Sequence, residues 1–202
     1  MCSVGILALQ GGVVEHEAAL RKLGCGTVQV RKPRQLENLS ALILPGGEST
    51  TLISLMNRWG LTEPVIQMGK SGVPLFGTCA GAILLSRRVK EAQHDVDQES
   101  LALADVEAVR NYFGRQTCSF VQDLDIEGLD QPFRGVFIRA PILRPLSDAV
   151  QVLGTVRDGA VLLRQDNIWL SSFHPELTPD TSIHRLFLKS HGILKGTNNA
   201  HL

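Results

Sequence analysis

Near the middle of the chain, Gly77-Thr78-Cys79-Ala80-Gly81 places a thiol between small residues. It follows the apolar run Val73-Pro74-Leu75-Phe76 and precedes Ala82-Ile83-Leu84-Leu85. Glycine two positions before and two after a nucleophile is the spacing of a tight strand-to-helix turn, where the chain reverses so sharply that the neighbours must be small. Here cysteine stands where such hydrolases carry serine. The turn sets Cys79 at a helix N-terminus, where unpaired N–H groups and the positive end of the dipole favour a thiolate. The next N–H, that of Ala80, can face an oxyanion developing on an attacked carbonyl.

Such a nucleophile needs a base. Ser172-Phe173-His174-Pro175-Glu176 ends the apolar stretch Ile168-Trp169-Leu170-Ser171. In an extended segment, His174 and Glu176 point to the same side. A carboxylate beside an imidazole fixes its tautomer and stabilises the imidazolium, so the pair reads as a base with its orienting partner. A third stretch, Pro45-Gly46-Gly47-Glu48-Ser49-Thr50, follows Ala41-Leu42-Ile43-Leu44. Two glycines at a strand end let backbone N–H groups approach a ligand. Ligands of open α/β sheets bind at the carboxyl ends of strands, the edge where Cys79 should also lie.

The elements that must position these residues alternate. Apolar runs at 3–9, 27–31, 41–45 and 73–76 read as strands. Helix-period segments lie between them: 13–24, with Val14, Ala18 and Leu20 or Arg21 near one face and Gly24 as its stop, and 51–60, with Leu52, Leu55, Met56 and Trp59. This pattern predicts parallel βαβ units with helices on both sheet faces. Residues 87–100, RVKEAQHDVDQES after Arg87, are polar and read as an exposed connection. From about residue 103 the chain is strand-rich, with a hairpin signal at Asp158-Gly159. A last helix is expected after Asp180 or Thr181, ending near Gly192, with a frayed tail over 195–202. The expected fold class is α/β: a single-domain three-layer sandwich over 1–202, ordered from about 4 to 191, with a mostly parallel, flavodoxin-like central sheet and an antiparallel second half.

Composition narrows the function. The 202 residues are 44% hydrophobic, with 20 basic and 20 acidic side chains. A neutral balance gives no electrostatic argument for nucleic acid or an anionic membrane. No apolar run approaches the roughly 20 residues of a membrane span, and the N-terminus does not read as a signal peptide. Cys2, Cys25, Cys79 and Cys118 have no CxxC or metal-ligand spacing, so free thiols, a reducing cytoplasmic setting and no metal are expected.

Together the elbow, Pro-Gly-Gly-Glu and His-Pro-Glu resemble the class I glutamine amidotransferases, glutaminases with a cysteine–histidine–glutamate triad. LALQGGVVEH, LILPGGESTT, GTCAGAILL, RNYFGRQ, GVFIRAP and SFHPELT resemble, in order, the branch of glutaminase subunits serving pyridoxal 5'-phosphate synthase, from residue 4 to about 190. The resemblance implies Cys79 as nucleophile, His174 as general base and acid, and Glu176 as its orienting carboxylate. It implies oxyanion-hole N–H groups from Gly47 and Ala80, and a glutamine site formed by Gly46, Gly47, Glu48, Arg110, Ile138 and Arg139. It also implies L-glutamine as substrate, no cofactor, and a barrel-shaped synthase subunit as partner. Two departures, Val121 in place of an acidic residue and no glycine in the segment before Arg110, bear on packing or partner contacts rather than on chemistry. The competing readings are a glutaminase subunit of another amidotransferase complex, an elbow-cysteine peptidase or chaperone-like protein, and a regulatory binder with a relic site.

Overall fold

The computed structural model describes residues 2–91, 98–110, 112, 119–157 and 159–194. Cys118, Asp158, the tail 195–202 and most of RNYFGRQ lie outside the described residues. In chain order the elements are β1 (Ser3–Leu7), α1 (Val13–Lys22), β2 (Gly26–Val30), β3 (Ala41–Leu44), α2 (Ser49–Arg58), α3 (Thr62–Lys70), β4 (Leu75–Thr78), α4 (Ala80–Leu85), β5 (Ser86–Glu91), β6 (Ala104–Arg110), β7 (Ser119–Leu124), β8 (Phe133–Ile138), β9 (Ile142–Pro145), β10 (Gln151–Val156), β11 (Gly159–Gln165), β12 (Ile168–Ser171) and α5 (Ser182–Ser190).

The central sheet runs β2-β1-β3-β4-β12-β11-β9-β6-β5, with β10 paired to β11; β7 and β8 form a separate antiparallel ribbon. From β2 to β12 every pairing is parallel, whereas β12-β11, β11-β9 and β9-β6 are antiparallel. β12 therefore returns from the antiparallel half to lie beside β4. Its carboxyl end then shares an edge with those of β1, β3 and β4, and three of the sequence motifs meet there.

Period-two alternation divides the core between the sheet faces. Leu42, Leu44, Leu75, Ile168 and Leu170 pack with Leu52 and Met56 of α2, Val65 of α3 and Leu84 of α4. Their neighbours Ala41, Ile43, Phe76 and Trp169 pack with Leu20 of α1, Phe187 and Leu188 of α5, and Phe133 and Phe137 of β8. Both faces are covered there, so β1, β3, β4 and β12 carry few polar residues. Each fully buried Leu, Ile or Phe stabilises by roughly 1.5–3 kcal/mol. Among the described residues, no helix is long and apolar enough to cross a membrane.

Three local expectations change. The start of the polar segment after α4 is not a loop: Ser86–Glu91 is a strand, burying Ser86 and Val89 while Arg87, Arg88 and Lys90 face solvent. On α1, Val14 and Ala18 are exposed, and the buried side carries His16, Glu17, Ala19 and Leu20. The apolar pattern misled there because the helix faces a polar group. Third, β12 stops at Ser171, and Pro175–Leu177 is a 3-10 turn rather than extended chain. Gly24 (φ +77°) does close α1, its N–H donating to the Arg21 carbonyl at 3.0 Å.

Candidate active site

The elbow is built from backbone contacts. β4 ends at Thr78 and α4 starts at Ala80, leaving Cys79 alone to make the reversal at φ 50°, ψ −104°. A non-glycine residue there is strained by about 1–3 kcal/mol and needs surroundings that over-determine it. The Cys79 N–H donates to the Ser171 carbonyl of β12 at 2.7 Å. A Cβ on Gly77 would lie 2.5 Å from the Gly81 backbone, and one on Gly81 would lie 1.9 Å from the Leu44 carbonyl oxygen. The small residues framing the thiol therefore let α4 cross β4 and β3 in direct main-chain contact.

Separated from the end of β12 by three residues, the 3-10 turn with Pro175 in its first position brings Glu176 back to His174. The imidazole Nδ1 lies 2.8 Å from Glu176 Oε1, and the ring shares the wall of one cavity with Cys79. The His174 N–H is tied to the Val136 carbonyl of β8 at 2.8 Å. Burial opposes charge on the ring, but the bonds to Cys79 and Glu176, with their charges, outweigh it and hold its pKa up at about 10. The imidazole is thus disposed to be cationic beside the sulfur. The Cys79 sulfur also lies 3.7 Å from the Ile138 carbonyl, to which the protonated thiol donates.

Glu176 has a side chain only 1% exposed. Burial pushes its carboxyl up, yet the imidazoles of His16 and His174 more than offset this and hold it below the usual carboxylate range. Its second oxygen, Oε2, has no aligned hydrogen-bond donor among the described residues; His16 Nε2 is 3.4 Å away. Desolvation in a fully buried site holds His16 below its ordinary value, so it meets Glu176 as a neutral ring and the charge stays on Glu176 and His174.

Opposite the triad, the loop after β3 forms the other wall. Gly46 lies against the His174 ring: an added Cβ would come 2.5 Å from His174 Cε1 and 3.5 Å from Cys79 Cβ. Gly47 holds φ +140°, a region side chains rarely enter, and faces Gln10. Gln10 Oε1 accepts the Glu48 N–H at 2.8 Å and pins the loop. Glu48 caps α2 through the Thr51 N–H at 2.9 Å and also accepts from the Thr50 and Thr51 hydroxyls. Partial burial raises its carboxyl, but those threonine bonds prevail and lower it. Its other oxygen lies 3.1 Å from Arg110 Nη2, and Arg110 Nη1 donates to Gln98 Oε1 at 2.6 Å.

These walls enclose a cavity of about 330 Å³ lined by Gly47, Glu48, Ser49, Cys79, Ile83, Arg110, Ile138, Arg139 and His174. That is the size of a small-molecule site, roughly 300–1,000 Å³. Seven of these were expected from the sequence. Of the remaining expected residues, Gly46 backs His174, Ala80 opens α4 beside the sulfur, and Glu176 sits behind the base, away from the wall. The sequence reading missed Gln10, His16, Ser49, Ile83 and Gln98. Gln10 and His16 stand in LALQGGVVEH, a stretch used there only for its resemblance. Among the described residues, no group of three or more His, Cys, Asp or Glu is arranged to hold a metal ion.

Residues 6–192 match the model of the SNO glutamine amidotransferase family. The pyridoxal 5'-phosphate synthase subunit PdxT of Pelotomaculum thermopropionicum is 49% identical over 187 residues, 92% of this chain and 93% of that protein. The protein of the same name from Ignicoccus hospitalis is 50% identical over 192 residues, 92% of this chain and 97% of that one. A crystal structure of a glutamine amidotransferase superposes with a TM-score of 0.86 at 47% identity, covering 94% of this chain and 98% of that one.

Proposed function

The chain belongs to the SNO glutamine amidotransferase family, and from that premise we propose how its residues hydrolyse L-glutamine to L-glutamate and ammonia. The Cys79 thiolate attacks the side-chain amide carbon. The oxyanion is received by the Gly47 and Ala80 N–H groups, each such donor being worth about 3–4 kcal/mol. His174, cationic beside the sulfur, passes its proton to the amide nitrogen as the C–N bond breaks. Ammonia leaves and a γ-glutamyl thioester remains. His174, now neutral, takes a proton from water; the hydroxide adds to the thioester, and glutamate departs as the thiolate reforms. Glu176 keeps the proton of Nδ1 in place throughout, so that the far ring nitrogen does the work.

The amino-acid end of the substrate has its own partners. Glutamine carries an α-carboxylate and an α-ammonium, and the cavity wall offers Arg110 and Glu48, already 3.1 Å apart. A guanidinium gives the carboxylate a charge-assisted, forked contact. The hydrophobic wall of Ile83 and Ile138 flanks the methylenes, and Gly46 and Arg139 complete the pocket's edge.

The chain serves pyridoxal 5'-phosphate synthesis as the ammonia-supplying subunit; its half-identical relatives are named as pyridoxal 5'-phosphate synthase subunits. Ammonia set free in neutral water becomes ammonium and loses its nucleophilicity. Direct delivery to a synthase subunit, of barrel form, avoids that loss. A cytoplasmic, reducing setting suits a catalytic thiol.

The observation that carries this reading is Cys79 and His174 on the wall of one cavity, with Glu176 2.8 Å behind the imidazole. A glutaminase assay with and without the synthase subunit tests it. Equimolar glutamate and ammonia are expected, rising when the synthase is added and abolished by Cys79→Ala. Unchanged turnover in Cys79→Ala would overturn the assignment.

A further inference from the structure

Behind Glu176 lies a group that the reaction does not use. His16 of α1 and His184 of α5 are both fully buried, with His16 Nδ1 2.9 Å from His184 Nε2. His16 Nε2 lies 3.3 Å from Thr78 Oγ1 and 3.4 Å from Glu176 Oε2. The titratable groups facing His16 are Glu176, His174 and His184, with Glu15 beside it on its own helix. His184 Nδ1 has no partner among the described residues, and the ring sits edge-on to Phe76 at 6.3 Å between centroids.

Two proton arrangements are open to a pair of neutral rings. If His16 carried its proton on Nδ1, it would donate to His184, turn a lone pair towards the Glu176 carboxylate, and leave His184 with an orphaned N–H at Nδ1. If His16 carries it on Nε2, that N–H faces Glu176 and Thr78, His184 Nε2–H donates to His16, and only an acceptor is left unmatched. Buried orphaned donors are much the rarer fault, and a lone pair against an anion is repulsive. The second arrangement is favoured: His184 donates to His16, and the His16 Nε2–H is turned to Thr78 and the carboxylate.

We propose that His16 is a positioning residue for the catalytic carboxylate: held by His184, it fixes the second oxygen of Glu176, so that the first stays on His174. This rests on the triad reading above. Without it, Oε2 would lose the ring N–H that approaches it at 3.4 Å, and the carboxylate could turn away from the base.

The test is glutamine hydrolysis by the full chain, alone and with the synthase subunit, with folding followed by circular dichroism. The 3.4 Å approach closes to a hydrogen bond in the reacting complex, and such a bond to a charged group is worth about ten- to a hundredfold in rate. His16→Leu is therefore expected to lower kcat by that factor, with KM within about twofold. His16→Gln, whose amide nitrogen can stand where Nε2 stands, should keep kcat within about threefold of the parent. Should the leucine variant fail to fold, His16→Asn replaces it: its shorter amide reaches His184 but not Glu176, and the loss should match. Equal losses in the glutamine and leucine (or asparagine) variants, or no loss in either, would overturn the proposal. Glu176→Gln run in parallel separates the two ideas: if it is silent, the triad assignment falls and this inference with it.

Discussion

Two glutamates flank the candidate site in opposite surroundings: Glu48 lines the cavity, and Glu176 sits behind His174. Glu176 has a side chain 1% exposed and is held between imidazoles, whereas Glu48 has a side chain 46% exposed and is held by threonines and Arg110. Both are held as carboxylates, but by different means. Water cannot compensate for a lost partner at the buried end, so each contact there is expensive to remove. At the open end solvent screens the Glu48–Arg110 pair, and the free pair contributes little to stability. The buried end is therefore suited to holding one proton in one geometry. The open end is suited to exchanging its ion pair for a charged substrate.

The sharpest way to break this comparison is Glu176→Gln. The amide can keep the volume but presents the wrong partner to Nδ1, so kcat should fall by on the order of 10²- to 10⁴-fold, with KM little changed. Steady-state kinetics in glutamine decide it, and a mainly KM effect would erase the distinction between the ends. Arg110→Ala should do the reverse: KM rises by about ten- to a hundredfold, the loss of one charge-assisted contact, while kcat changes less. A kcat defect as large as that of Glu176→Gln would show that the open end also governs chemistry.

The smallest effect is on stability against pH, read as Tm. His174 has its pKa raised to about 10, so its contribution is complete below its unfolded value of 6.5 and is lost as pH climbs through about 10. His16 and His184 are lowered, His184 to about 3, so their contributions are complete above 6.5 and fade as pH falls. Lowered Glu176 adds to the acid-side loss. Tm should therefore be highest near neutrality and decline in both directions. Glu176→Gln should flatten the alkaline decline by removing a partner of His174, and Glu48→Gln should leave it in place; the opposite outcome would invert the comparison.

The open end and the nucleophile were the legible parts of the sequence. Gly77 and Gly81 around Cys79 are a backbone requirement, and such requirements leave residue types at fixed spacing. ALIL at β3 and IWLS at β12 announce strands buried on both faces, which placed the loops at a common edge. Glu176 was found for a partly mistaken reason: the pairing comes from a turn at Pro175, not from extended chain. The buried end was largely hidden. His16 and His184 lie 168 positions apart and meet only because α1 and α5 cover the same sheet face. On α1 the apolar pattern pointed to Val14 and Ala18, since a helix packed against a carboxylate has no reason to show an apolar stripe. Likewise β5, an edge strand with four charged residues in six, looks like a loop until β6 pairs with it.

At the elbow, the main chain at Leu44, Gly77 and Gly81 meets without room for one added carbon. Mutational drift therefore meets very unequal terrain across this molecule. The outer side of α2 can change freely, but a methyl group at Gly81 must displace β3, and with it the loop that carries Gly46 and Gly47. A single inherited change can silence the centre, whereas shifting the sulfur to a neighbouring position would need several simultaneous ones.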